Sequence, residues 1–354
     1  MAVDVNPLRR RPPGPRVLVY LDQSTLSALV SEERFVEVRE QLLSAVYEGR
    51  LVCPGSLEHT SETIPARVSW EDITKLGHRL SMGIDIRADQ ELRAYEVLTA
   101  AELFFQGTST RQVWEEAFET DPHTPRDDLF PAGFQVHAYF PPDELRLAEV
   151  ENLRQTELDL ERIYEEARRR GHSFEEQAER EFEAMVEWVL GPLVDGGKMQ
   201  ALYDRRKAEL VKEGLQGEWD PSPGSTMSHF LAIGEHLARV ESLVSRFPEL
   251  KERASEFAAS DVFRSMPALR YPPILRAAIA VMSGRKPKRG DGHDIVHLTR
   301  GLSRCDIVTA DAGMTQLCLD HKLVPEGCTL LRFNDVDGLS GAVEQALDQA
   351  PPTP

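Results

Sequence analysis

Four acidic side chains, scattered along the sequence, fall where α/β proteins gather ligands. Asp22 ends an apolar run, Glu62 lies on a helix-compatible segment, Asp294 opens a second such segment, and Asp311 follows a later apolar run. Brought together, carboxylates in this number cannot all stay ionised unless a cation joins them or their pKa values rise. Oxygen donors select Mg²⁺ or Mn²⁺ over zinc. The chemistry such a cluster supports is phosphodiester hydrolysis, in which the ion polarises the phosphate and lowers the pKa of an attacking water. No side-chain nucleophile is needed.

Other residues extend the same constellation. The hydroxyls of Ser24 and Thr309 are suited to steadying a ligand carboxylate or a metal-bound water. His297, one turn beyond Asp294, and His59, near Glu62, are candidates for phosphate contact, with a hydrogen-bonded structural histidine as the plainer reading. The basic stretch Arg285, Lys286, Lys288, Arg289 would place a small positive patch beside the acids, or else is a solvated loop. Two choices stay open on spacing alone. Glu58 shares a helix face with Glu62, and Asp291 shares a turn with Asp294, where it would also serve as an N-cap. Asp306 lies within the later apolar run, and strand alternation puts it on either face.

The elements that must position these residues follow from periodicity. Arg16 to Asp22 reads as a buried parallel strand with Asp22 at its C-terminal tip, and Phe35 to Tyr47 repeats apolar residues at helical spacing. Leu51 to Gly55 is a brief second strand, after which Ser56 is an N-cap candidate for a helix running past Glu62 toward Leu80. From about residue 90 to 280 the patterns are helical, with breaks at Gly171, Gly196-Gly197, Pro221 to Gly224 and Pro272-Pro273. Strands return at Cys305 to Thr309 and Thr329 to Phe333, with helices at Gly313 to Asp320 and Leu339 to Leu347. Strand ends and helix starts of a parallel α/β sheet meet at one edge, so the four acids are expected to converge there.

The run Val19-Tyr-Leu-Asp22-Gln-Ser-Thr-Leu26-Ser27 resembles the first strand and turn of PIN-domain nucleases. Gly290-Asp-Gly-His-Asp294-Ile-Val-His297-Leu, continuing through Ser303 to Thr309-Ala-Asp311, resembles that family's second half. Ser56-Leu-Glu-His59-Thr-Ser-Glu62-Thr63 stands where the family's second acid is supplied. The resemblance implies an α/β fold with a PIN-like parallel sheet flanked by helices, formed discontinuously by residues 16–90 and 285–347, with a mostly α-helical insertion at 91–284 and flexible tails at 1–15 and 348–354. It also implies a metal-dependent endoribonuclease that holds Mg²⁺ or Mn²⁺ on Asp22, Glu62, Asp294 and Asp311, leaving 5′-phosphate and 3′-hydroxyl ends, with Ser24, Thr309, His297, Lys288 and Arg289 in support. The helical insertion would cap the site, choose the substrate, dimerise, or receive an inhibitor or regulatory protein.

Composition sets outer bounds. A net charge of -18 opposes long-range attraction to a phosphate backbone, which argues against a general nucleic-acid coat protein and places RNA contact in a local patch. The apolar runs are too short to cross a bilayer and the N-terminus lacks a signal-like apolar stretch, so a cytoplasmic location is expected. Cys53, Cys305, Cys318 and Cys328 occur singly, which disfavours a zinc ribbon or a dithiol pair and favours buried free thiols. Two rival readings remain: a catalytically weak PIN-like scaffold whose insertion binds a protein, and a haloacid-dehalogenase-type phosphatase. The second wants another Asp two residues after Asp22, where Ser24 stands.

Overall fold

The computed structural model describes residues 14–56, 59, 70–109, 117–123, 143–194, 196–216, 226–288 and 290–350. The fold is mixed α/β, dominated by helices around a small parallel sheet. Strands β1 (Val17–Tyr20), β2 (Leu51–Val52), β5 (Ile307–Ala310) and β6 (Thr329–Arg332) form a four-stranded sheet in the order β2-β1-β5-β6, all parallel. The runs Val-Leu-Val-Tyr and Ile-Val-Thr-Ala are buried throughout, as strands covered on both faces must be. Strands β3 (Gly55–Ser56) and β4 (Asp85–Ile86) pair separately, also in parallel.

Alternation along β1 divides the core. Leu18 and Tyr20 join Val308, Ala310 and Leu330 on one face, whereas Val17, Val19 and Leu21 join Leu51 and Ile307 on the other. The second face is covered by α1 (Gln23–Ser31), α2 (Val36–Tyr47), α3 (Trp70–Ser81) and, near the C-terminus, the helix Val336–Gln349. Between them lie α4 (Asp89–Gln106), α5 (Asp143–Arg170), α6 (Phe174–Val194), α7 (Gly196–Gln216), α8 (Thr226–Arg246), α9 (Leu250–Ala259), α10 (Asp261–Arg264) and α11 (Pro267–Ala277). The first face takes α11, α12 (Asp291–Gly301) and α13 (Ala312–Asp320), together with Leu92 of α4, Leu160 of α5, and Phe174 and Ala178 of α6. The long helical stretch thus shares a core with the sheet. It also has one of its own, in which Phe182, Phe247, Phe257 and Phe263 pack with Val97 and Leu269.

Several expectations need correction. Pro272 and Pro273 do not separate elements but lie inside α11, which runs on into a π-type turn at Ala278–Met282. Each proline removes a donor and so an intrahelical bond. Burial of nearly the whole segment outweighs that loss, and α11 starts at Pro267, ahead of the expected break. Strand β4, only two residues long, gave no periodic signal. Residues 106–141, whose Pro, Asp, Gly and Phe content reads as an irregular connection, fall mostly outside the described residues, and so does most of the segment from Ser56 to Trp70. Among the described residues no helix is long and apolar enough to cross a membrane.

The approach of α12 to the sheet depends on one missing side chain. A Cβ on Gly301 would lie 2.9 Å from Tyr20 and 3.0 Å from Val308, so α12 sits directly on β1 and β5. Overpacking costs about 1–3 kcal/mol and better helix propensity returns at most about 1. Gly301→Ala is therefore expected to lose roughly 1 kcal/mol in guanidinium unfolding. A gain in stability would show that α12 can retreat from the sheet.

Candidate carboxylate site at the sheet switch point

The chain leaves β1 toward β2 on one side and leaves β5 toward β6 on the other, so the order of strands reverses between β1 and β5. In open α/β sheets the crevice beyond the carboxyl ends at such a point is where ligands bind. Asp22 follows β1 and Asp311 follows β5, and the two strands are hydrogen-bonded neighbours with Val19 opposite Ile307 and Tyr20 opposite Val308. Both aspartates therefore flank the reversal.

Each aspartate also begins the next helix. Asp22 is the N-cap of α1 and accepts from the Thr25 N–H at 2.9 Å; Asp311 is the N-cap of α13 and accepts from the Met314 N–H at 2.6 Å. Capping alone would justify an aspartate at either place. Asp22 is also tied to β5, because its N–H donates to Thr309 Oγ1 at 2.9 Å and that hydroxyl lies 3.2 Å from Asp22 Oδ1. The hydroxyl of Thr25 reaches both Asp22 Oδ1 and, at 2.8 Å, Thr309 Oγ1. Asp22, Thr25 and Thr309 are all buried. Thr25 thus holds the role expected of Ser24, which is exposed. It was legible as the third residue after a capping aspartate, where a hydroxyl side chain turns back toward the cap.

Positive charge faces these acids. The Lys288 ammonium contacts Asp311 Oδ2, and the Arg285 guanidinium grips buried Asp291 with two bonds of 2.8 Å. Lys288 also donates its backbone N–H to Asp291 at 2.8 Å. Asp291 is therefore the first residue of α12 and the anchor of the basic loop, not the N-cap, which is Gly290 at φ 100°. Burial pushes the Asp311 carboxyl up, but Lys288, the Met314 N–H and Arg285 together outweigh it and hold the group below its ordinary value. Arg285 is raised chiefly by its bond to Asp291, with further support from the charges of Asp311 and Asp294. Asp294 is felt again at Cys318, whose thiol is pushed up to about 12 first by burial and then by that carboxylate. Asp294 and Asp311 thus lie within electrostatic reach of the same guanidinium. Arg285 was visible only as part of a basic run.

Behind Asp22 runs a chain of hydrogen bonds. Tyr20 OH lies 2.9 Å from both Ser56 Oγ and His297 Nδ1, and Ser56 Oγ lies 3.2 Å from His59 Nδ1. His59 Nε2 donates to the Leu21 carbonyl, which can only accept. With His59 neutral, its Nδ1 must accept from Ser56, Ser56 from Tyr20, and Tyr20 from the Nδ1–H of His297. In a neutral His297, Nε2 is then the acceptor nitrogen. The rings of Tyr20, His59 and His297 also pack about one another, tilted by 43–49°, at centroid distances of 5.1, 5.6 and 5.0 Å. Tyr20→Phe, which leaves two buried polar groups short of a partner, is expected to cost about 1–3 kcal/mol in chemical denaturation. Unchanged stability would mean the chain is not formed.

The other expected residues divide. Asp306 lies at the opposite end of the strands, where its carboxylate accepts the Leu18 N–H at 2.7 Å, so it starts the ladder and stands away from the site. Glu62, Glu58 and Arg289 lie outside the described residues. Among the described residues no group of three or more His, Cys, Asp or Glu side chains is arranged to hold a metal ion. The donors flanking the reversal are nevertheless of the kind a hard divalent cation takes, two carboxylates with hydroxyls beside them, and Lys288 already balances one of them with a cation.

Comparison with protein-family models, with curated proteins and with solved structures gives no match. The site stands on its own geometry.

Four free cysteines complete the picture, three of them buried, as their apolar settings led us to expect. Cys53 is raised beyond the physiological range by burial, so neither it nor Cys318 supplies a thiolate nucleophile.

Proposed function

We propose that this chain is a divalent-metal-dependent nuclease of the PIN type, an endoribonuclease that opens RNA phosphodiesters at the β1/β5 reversal. One observation carries the reading: Asp22 and Asp311 follow neighbouring parallel strands at the switch point, and Asp22 is hydrogen-bonded to Thr309, two residues before Asp311. Asp22 and Asp311 would hold Mg²⁺ or Mn²⁺, with Asp294 and Glu62 completing the donor set. Such an ion, when bound, polarises the scissile phosphate and makes water acidic enough to attack it at neutral pH.

The chain's own residues supply orientation and charge. Thr25 and Thr309 fix the Asp22 carboxylate, the α13 cap fixes Asp311, and each is thereby pre-positioned before any ligand arrives. Lys288, half exposed, bridges Asp311 and solvent, where its ammonium can turn from the carboxylate to an incoming phosphate. Arg285 stays behind on Asp291 and keeps the loop in place. The local positive charge offsets, over a short range, the repulsion that the chain's overall negative charge exerts on RNA.

The test is incubation of a defined RNA pool with and without Mn²⁺, followed by mapping of both ends. Metal-dependent internal cuts bearing 5′-phosphate and 3′-hydroxyl ends are the expected result. A second reading, a PIN-like scaffold whose helical region binds a protein partner, is favoured by the Lys288 contact on Asp311, which neutralises that acid without a metal. Titration calorimetry with Mn²⁺ separates the two. Neither heat of binding nor cleavage would leave the scaffold standing and remove the nuclease.

A further inference from the structure

A cavity of about 510 Å³ opens beside the carboxylate site, a size typical of pockets that take small molecules. Leu21 and Gln23, the two neighbours of Asp22 in the chain, form part of its wall. Leu26, Trp70, Ile73 and Leu80 make it mainly apolar, with an indole among them. Its polar wall sets the carboxylates of Asp85 and Glu119 and the Gln23 amide beside the hydroxyls of Ser56, Thr74 and Ser81, the Trp70 indole N–H and the imidazoles of His59 and His78. Gln23 Oε1 is buried with no hydrogen-bond partner, and the carboxylate of Asp85 makes no hydrogen bond or ion pair with any described residue.

Asp85 is placed there at the expense of its neighbour's side chain. A Cβ on Gly55, its partner across the β3–β4 ladder, would sit 2.1 Å from Asp85 Oδ1. The φ of Gly55 is not positive, so what glycine gives here is room for the Asp85 carboxylate in this orientation and not backbone freedom. Glu119, whose backbone N–H donates to the Asp85 carbonyl at 2.9 Å, lines the same cavity. Burial first, and then the Glu119 charge, push the Asp85 carboxyl up; His78 opposes them. At Asp85 and Gln23 the wall therefore offers negative charge and an amide oxygen to a ligand that brings N–H donors.

We propose that this cavity is a base-binding subsite selective for guanine, which would lay its ring along the apolar wall at Trp70 and give its N1–H and N2–H to the Asp85 carboxylate. Among the four RNA bases, guanine alone presents two adjacent N–H donors on its Watson–Crick edge, the pair a carboxylate accepts side by side. Adenine and cytosine set a ring acceptor beside their amino group, which would face Asp85 with like polarity. Stacking a splayed base on an aromatic side chain while reading that edge is how proteins recognise single-stranded RNA. The position next to Asp22 would put the cut phosphate within one nucleotide of the bound base. That link to cleavage rests on the nuclease reading, whereas the binding itself does not.

Titration calorimetry of the full chain, without metal, against guanosine, inosine, adenosine, cytidine and uridine tests the subsite. Guanosine is expected to bind about 10- to 100-fold more tightly than the others, inosine included because it lacks the 2-amino donor. Asp85→Asn, which keeps the shape and removes a buried charge, should fold and should erase that preference. Equal affinity for all five nucleosides, no measurable binding of guanosine, or a preference that survives Asp85→Asn would each overturn the proposal. Guanosine binding in a chain that cuts no RNA with Mn²⁺ would leave the subsite in place and remove the nuclease. Mn²⁺-dependent cleavage by a chain that binds guanosine no better than the other nucleosides would do the reverse.

Discussion

Asp22→Asn and Asp311→Asn are each expected to reduce Mn²⁺-dependent RNA cleavage by roughly 100- to 1000-fold or more, the several kcal/mol that a metal-held transition state is worth. Neither change should unfold the protein. Asparagine keeps an oxygen where Thr25 N–H and Met314 N–H donate, so both helix caps survive, whereas alanine would lose the cap at about 1 kcal/mol. The isosteric variant thus separates ligand charge from capping. Asp306→Asn is the matched control, since that carboxylate starts the ladder from the far end of the strands. Gel-resolved initial rates should fall for the two site variants and hold for the control. Undiminished cleavage by Asp22→Asn would end the nuclease reading.

The largest stability effect is expected at the ion pair that joins α12 to α4. Arg304, fully buried just past α12, meets Glu96 at 2.7 Å, and the second Glu96 oxygen accepts the Ala268 N–H at 2.6 Å. Burial pushes Glu96 up to about 7, even though Arg304 and that N–H pull the other way. Arg304→Met leaves the carboxylate buried without its counter-charge and should cost about 3–5 kcal/mol in urea unfolding at neutral pH. The sign with pH follows from the raised value. The folded state binds the Glu96 proton more tightly than the unfolded chain does, so stability falls as pH rises from the ordinary glutamate range through about 7. Without Arg304 the folded value climbs further, and the variant's deficit should widen from pH 5 to pH 8. Glu96→Gln with Arg304→Met should recover most of the loss, because the amide still accepts from Ala268 and no charge remains buried. A deficit independent of pH and unrelieved in the double variant would show that Arg304 acts only by packing.

The strands and most helices could be read from the chain because their signals are local. Val17–Tyr20 and Ile307–Ala310 are apolar runs bounded by a terminal aspartate, and α5 repeats its pattern over many turns. Two-residue β4 has no period to detect. Asp22, Asp294 and Asp311 were legible because parallel sheets bring strand ends and helix starts to one rim. Their supports were harder to see. Thr25 and Ser24 are adjacent hydroxyls, and only the helical turn after the cap decides which one faces inward. The Glu96–Arg304 and Asp89–Arg300 pairs join residues far apart along the chain, and neither partner carries a local mark of burial. The helix across Pro272 and Pro273 defeats propensity because packing supplies what the missing donors withhold.

The pairing of β1 with β5 also sets a timetable. Asp22 meets Thr309 across 287 positions of chain, and β1 has no parallel neighbour on that side until the whole helical stretch has emerged from the ribosome. Translation must therefore reach Asp311 before the two acids can meet. A nascent or prematurely ended product would carry the first acid without the second, and under the nuclease reading it would be harmless to the messenger from which it is being made.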